Sequence, residues 1–213
     1  MKIAIYGAGG FGKEVACLIR RINANGGDWQ LIGFFDDSKP VGTQVSRYGM
    51  VIGGLEKLLQ VDEPIAVAIA INDNKTVRRI REDITNEHIS FPNLIDPSIF
   101  YVDKETVTMG EGNIIQNNCM ISCDVEIGSF NLINDHVVIG HDNVIGNFNG
   151  LMPGAHLSGS VTIGDGNLLG VASVVLQGMT IGTGVTLAAN SVLMTQARDN
   201  STYIGVQAKR FDF

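Results

Sequence analysis

Val161-Thr162-Ile163-Gly164-Asp165-Gly166 is one unit of a pattern that runs through the second half of the chain, with an aliphatic side chain at every sixth position. The series is Met109, Ile115, Ile121, Ile127, Ile133, Ile139, Ile145, Leu151, Leu157, Ile163, Leu169, Val175, Ile181, Leu187 and Leu193, without a miss. A helix repeats about every 3.6 residues and a strand every two, so neither produces a period of six. Glycine follows the aliphatic residue at Gly110, Gly128, Gly140, Gly146, Gly164, Gly170 and Gly182. The pattern requires short strands joined by tight turns and coiled so that each sixth residue points inward. That is a parallel β-solenoid. Three hexapeptides close one triangular coil, so residues 18 apart in sequence stack on one another.

The 213 residues accommodate one large domain or two small ones, and 45% hydrophobic with 17% charged residues suits a soluble chain with generous buried surface. A net charge of −7 gives no electrostatic reason to bind nucleic acid or an anionic membrane, while leaving local sites for anions open. Cys17, Cys119 and Cys123 have no metal-ligand spacing and read as reduced packing residues. No apolar run reaches membrane-spanning length, and glycines interrupt the N-terminal apolar run at once, so the expected location is the cytoplasm.

Residues 1–95 alternate differently. Strand signals at Lys2–Tyr6, Trp29–Phe35, Tyr48–Ile52, Ile65–Ile71 and Ile89–Ile95 are separated by helical spacings at Val15, Leu18 and Ile19, at Leu55 to Gln60, and at Lys75 to Ile84. Asp73 or Asn74 is placed to cap the last of these helices. This alternation predicts a small doubly wound, Rossmann-like α/β domain over residues 1–95. Residues 96–213 are then an all-β solenoid domain whose polar tail returns as a lid or strand on the last coil.

Gly7-Ala8-Gly9-Gly10-Phe11-Gly12, between a strand and a helix, fits the dinucleotide-binding fingerprint, with Asp36 at a suitable distance downstream. Backbone N–H groups at a helix N-terminus attract phosphate. The α/β unit is too short for the full two-halved fold, and a solenoid is no dehydrogenase substrate domain. A nucleotide-linked ligand is therefore preferred to a redox cofactor, with a purely structural turn as the remaining reading. Asp36 and Asp37 are placed to accept hydrogen bonds from hydroxyls.

His136, His141 and His156 lie in the solenoid. The pair five apart resembles that of solenoid carbonic anhydrases, but a third histidine about two coils upstream is missing, so no metal site is expected. Eighteen residues beyond His141 is Gly159, one coil above on the same corner. A histidine beside a glycine N–H offers a general base and an oxyanion donor together, as acyl transfer requires. Asp142 is placed to fix the imidazole tautomer. A solvated surface histidine is the competing reading, and for His156 it is the preferred one.

Tyr6-Gly7-Ala8-Gly9-Gly10, Asp36-Asp37, Ile71-Asn72-Asp73-Asn74-Lys75, Ile133-Asn134, Gly140-His141-Asp142 and Gly205-Val206-Gln207-Ala208-Lys209-Arg210 together resemble the hexapeptide-repeat sugar acyltransferases that carry a small N-terminal Rossmann-like domain. That group includes UDP-4-amino-sugar and perosamine N-acetyltransferases and sialic acid O-acetyltransferase-like proteins. The resemblance implies a left-handed β-helix and a homotrimer with active sites between neighbouring subunits. It implies an acetyl-CoA-dependent N-acetyltransferase acting on a nucleotide-linked deoxyamino sugar, with no metal. His141 is then the general base, Asp142 its support and Gly159 the oxyanion donor. Gly9, Gly10, Phe11, Asp36, Asp37, Asn74, Lys75 and Asn134 would contact the acceptor. Gly159, Val171, Ala189 and Lys209 would line the acetyl-CoA groove. The chain departs from the family where Phe11 and Gly150 replace frequent histidines, Asn72 a glycine and Gln207 a proline. O-acetylation of a sugar and a non-catalytic trimeric scaffold are the alternatives.

Overall fold

The computed structural model describes residues 1–205. The chain opens with a five-stranded parallel sheet formed by β1 (Lys2–Tyr6), β2 (Gln30–Phe35), β3 (Val51–Gly53), β4 (Ile65–Ile69) and β5 (Ile89–Ser90), ordered β3-β2-β1-β4-β5. β4 is buried at every position, as a strand covered on both faces must be. Alternate side chains of β1 serve opposite layers. Ile3 and Ile5 pack with Val15, Leu18 and Ile19 of α1 (Gly10–Ala24). Ala4 and Tyr6 pack with Leu58 of α2 (Leu55–Leu59) and with Val77 and Ile80 of α3 (Asn74–Asp83). Asp73 caps α3, its carboxylate accepting from Thr76 N at 2.9 Å. None of the described helices is long and apolar enough to cross a membrane.

The strand expected across Ile89–Ile95 divides in two. Ile89–Ser90 pairs with Ile65–Ala66, whereas Leu94–Ile95 pairs with Ile114–Ile115 in the solenoid. Pro92, between them, has no N–H with which to continue a ladder.

From there the chain winds as a three-sided left-handed parallel β-helix. Three inward columns run up it, of which one is Ile121, Ile139, Leu157, Val175 and Leu193, each paired with its neighbours in the column 18 residues away. These columns form one continuous buried core. The rhythm extends beyond the uninterrupted series at both ends, with altered coil lengths. Ile95 pairs with Ile115 and Tyr101 with Ile121, each 20 residues apart, and a 3-10 turn at Lys104–Thr106 takes up the surplus. At the other end Ile181 bridges Ala197 and Leu187 pairs with Tyr203, each 16 apart, so the tail does add a strand to the last coil.

A buried asparagine ladder keeps these coils in register. Asn93, Asn113, Asn131, Asn149 and Asn167 stack at one corner, each Oδ1 accepting from the backbone N–H one coil above. Nδ2 of Asn113, Asn131, Asn149 and Asn167 donates to the Oδ1 below at 3.0–3.1 Å. The last Oδ1, of Asn167, accepts from Val185 N. Two-residue strands cannot hold a register alone, and each amide closes the gap between coils with hydrogen bonds shielded from water.

The two units share a core. Leu94, Ile114 and Leu132 on one outer face of the solenoid pack against the α1 layer. Buried Asp96 receives Arg21 of α1, and Asn74 Nδ2 donates to Asn167 O at 2.8 Å. Arg78 lies over Phe148 and Arg81 over Phe91, each under 5 Å from the ring centre. Asn149→Ala would orphan two donors on Asn167 in a dry interior, and unfolding free energy should fall by about 2–4 kcal/mol. Denaturant unfolding measures this; an unchanged midpoint would mean that the ladder does not hold the coils.

Candidate active site

His141 sits on the corner after the Val138–Ile139 strand, half exposed, and its Nδ1 lies 2.6 Å from Asp142 Oδ2. That bond favours the tautomer in which Nδ1 carries the proton and Nε2 keeps its lone pair. Asp142 adopts a left-handed backbone conformation (φ 55°), the conformation found at every sixth residue through these corners. Its N–H donates to Cys123 O one coil below, while Ser160 N donates to His141 O from one coil above. The imidazole lies against Gly159. A Cβ there would stand 2.5 Å from Cε1 and closer still to Nε2, so only glycine leaves the ring its place. Among the described residues neither the Gly159 N–H nor His141 Nε2 has a hydrogen-bond partner. A free basic nitrogen and a free donor therefore share one corner.

The glycine loop forms a second constellation. A cavity of 390 Å³ at the carboxyl ends of β1, β2 and β4 is lined by Gly9, Gly10, Phe11, Asp36, Asp37 and Arg79. Gly7 is in the left-handed region (φ 113°), and a Cβ on Gly12 would collide with Gly7 O, so the loop can pass tightly under α1. Gly9 caps α1 without a side-chain hydrogen bond, leaving first-turn N–H groups open. Asp36 Oδ2 accepts from Ala8 N at 2.8 Å and Oδ1 from Ser38 N and Oγ, bracing the loop. Burial alone would raise the Asp36 pKa; the bonds from Ser38 and Ala8 and the Lys39 charge outweigh it and hold it below the usual range. Asp37 accepts from the Tyr6 hydroxyl and from Leu55 N at the start of α2. Burial first, then Asp37, pushes the Tyr6 phenol well above its ordinary value.

The remaining sequence-predicted residues lie elsewhere. Asn134 lines a larger cavity of 530 Å³ between α1 and the solenoid, with Lys13, Glu14, Tyr48, Gln116 and Pro153. Asn74 and Lys75 border a 160 Å³ hollow beside α3 with Arg78 and Gly166. Gly150 lies beside Asn74: a Cβ on it would be 3.4 Å from Asn74 Oδ1 and 3.3 Å from Leu168 Cδ1. Val171 and Ala189 are exposed, 36 and 54 residues after Asp135 on its corner, one face away from His141. Lys209 and the Val206–Arg210 motif lie outside the described residues.

Three features escaped the sequence reading. Arg79 lines the glycine-loop cavity. A second histidine–carboxylate pair joins His136 Nδ1 to Asp135 Oδ2 at 2.9 Å. Arg21 spans the units to Asp96. The His136 pair was visible as adjacent residues; the other two depend on where helices pack.

Residues 2–84 match the PglD N-terminal domain family. No curated protein sequence matches the chain. Among solved structures, the acetyltransferase domain of PglB from Neisseria gonorrhoeae, in complex with acetyl coenzyme A, is 28% identical with a TM-score of 0.85, the match covering 99% of this chain and 98% of that one. PerB from Caulobacter crescentus, in complex with CoA and GDP-perosamine, is 26% identical with a TM-score of 0.83, covering 98% and 96%. WeeI from Acinetobacter baumannii is 25% identical with a TM-score of 0.85, covering 96% and 97%. The chain is an enzyme of the hexapeptide-repeat acyltransferase class. Within that class it is a sugar acyltransferase carrying a PglD-type N-terminal domain.

Gly159→Ala is expected to push the imidazole aside at little cost in stability, because the crowded atoms are the free end of one side chain. The His141 ring resonances in a nitrogen-15 spectrum should change while the unfolding midpoint hardly moves. Unchanged resonances would contradict the contact.

Proposed function

We propose that this enzyme transfers the acetyl group of acetyl-CoA to the amino group of a nucleotide-linked deoxyamino sugar. The single observation that carries the reading is His141, oriented through Nδ1 by Asp142, with its free Nε2 beside the free Gly159 N–H. The bound molecules named for the PglB domain and PerB, acetyl coenzyme A in one and CoA with GDP-perosamine in the other, support both donor and acceptor class.

In the reaction the sugar amine attacks the thioester carbonyl, and His141 Nε2 takes the proton that the amine loses. The Gly159 N–H donates to the carbonyl oxygen as it gains negative charge. Collapse expels the CoA thiolate, which recovers the proton from the imidazolium, leaving amide and thiol. Asp142 holds the ring in the required tautomer and stabilises its charged form. Attack is direct. Cys123 occupies the same corner one coil below, but among the described residues the one hydrogen-bond contact of its thiol is Ser122 Oγ at 3.9 Å, with none to the imidazole. Burial pushes the Cys119 thiol up to about 11, which suits a packing role.

One chain holds the parts of this site at separate places. The glycine-loop cavity and Asn134 are on the α1 side, and His141 is on the next solenoid corner. A second copy that brings its His141 corner to the cavity side completes the site, which supports a homotrimer with sites between subunits. The outer column Phe100, Met120, Val138, His156, Val174 and Val192 is consistent with such packing, being apolar but for His156. The neighbouring face presents Thr108, Glu126, Val144, Thr162 and Thr180, polar but for Val144.

His141→Ala should lower kcat by about 10²–10⁴ with acetyl-CoA and a panel of UDP-, GDP- and dTDP-linked 4-amino sugars, leaving the acetyl-CoA Kd nearly unchanged. Undiminished turnover would overturn the base assignment. Incubation with acetyl-CoA alone should leave the protein mass unaltered; a stable acetyl adduct would overturn direct transfer.

A further inference from the structure

The glycine-loop cavity has an uneven distribution of charge. Asp36 and Asp37 stand at the carboxyl end of β2 on one side of it. On the α1 side Gly10 and Phe11 present first-turn N–H groups, and α1 has no acidic residue in that turn. On the α3 side is Arg79, the only basic side chain among the described lining residues. Three neighbouring cations are committed elsewhere. Lys39 Nζ donates to Ala8 O at 2.8 Å. Arg78 reaches Asp165 at 3.6 Å and covers Phe148. Arg81 pairs with Glu111 at 3.3 Å. Among the described residues Arg79 pairs with no carboxylate, and it is exposed, held only by its helix.

A nucleotide-linked sugar brings a diphosphate, with about two negative charges, into a cavity that already contains two carboxylates. Amide dipoles at a helix end supply partial positive charge worth about half a unit. That leaves the acceptor facing like charge unless a full cation approaches it. We infer that Arg79 is that cation, holding the diphosphate of the acceptor from α3 while the α1 amides hold it from the loop. This rests on the acceptor class proposed above. Arg79 touches only the non-reacting part of the substrate, so it raises affinity for the acceptor without changing the transfer step. It also makes the site select nucleoside diphosphates over nucleosides and free sugars.

Calorimetry with UDP, GDP and dTDP, and with uridine, guanosine and thymidine, separates the possibilities. For the nucleotide that the unaltered enzyme binds, Arg79→Met should weaken nucleoside diphosphate binding by about 10- to 100-fold and leave the matching nucleoside unaffected. KM for the nucleotide-linked amino sugar should rise similarly, with kcat within about twofold and acetyl-CoA binding unchanged. Arg79→Lys should recover most of the loss, since a diphosphate accepts a point charge. Equal nucleoside diphosphate affinity in Arg79→Met, or a parallel loss for the nucleoside, would overturn the assignment while the acceptor class stands. If the unaltered enzyme binds none of the three diphosphates and acetylates none of their amino sugars, the acceptor class itself is overturned, and this inference with it.

Discussion

The stacking of one coil on the next is the constraint on which the rest of this molecule depends. Most solenoid strands are two residues long, too short to pair stably in isolation. What makes them hold is repetition: an inward aliphatic residue on each face and a buried asparagine at one corner, coil after coil. A slip of one residue would turn the aliphatic column outward and break every rung of the asparagine ladder together. It would also move Gly159 from its place against His141. Register therefore also decides the contact between Gly159 and His141.

This explains how much was legible beforehand. The six-residue period revealed the solenoid, and its 18-residue multiple set Gly159 against His141, because vertical neighbours in a regular coil are a fixed distance apart in sequence. The strands and helices of the α/β unit followed from apolar runs and a recognisable cap at Asp73. From Asn113 to Asn167 the asparagine ladder had the same 18-residue spacing and was missed, since asparagine at a turn has a simpler explanation. The 20-residue and 16-residue coils at the two ends hide because an insertion or deletion in a corner breaks the count without breaking the stack.

Relations across the molecule were not legible. Asn74, expected to contact the acceptor, lines a small hollow with Phe11 and also donates to Asn167 O of the solenoid, and Lys75 borders a hollow with Gly166. Which side of α3 meets the cavity, and hence the exposure of Arg79 to it, depends on how Val77 and Ile80 seat that helix under the sheet. Asn134 and His141 are seven residues apart yet stand on successive corners, separated by a whole face. Sequence spacing describes one column well and says little about what a neighbouring column faces.

On the proposed reading the α/β unit and the solenoid divide the work: the cavity of the first would hold the nucleotide-linked acceptor, and the corner of the second, built by stacking, would supply His141 as base and the Gly159 N–H as oxyanion donor. The proposed mechanism places the chemistry between His141 and Gly159. A crystal structure with a bisubstrate analogue, CoA joined through a tetrahedral centre to a nucleotide-linked amino sugar, tests it most directly. The account predicts the oxyanion mimic about 2.7–3.1 Å from Gly159 N and the amine nitrogen within hydrogen-bonding reach of His141 Nε2. A tetrahedral centre bound at another corner, with His141 Nε2 facing solvent, would contradict it.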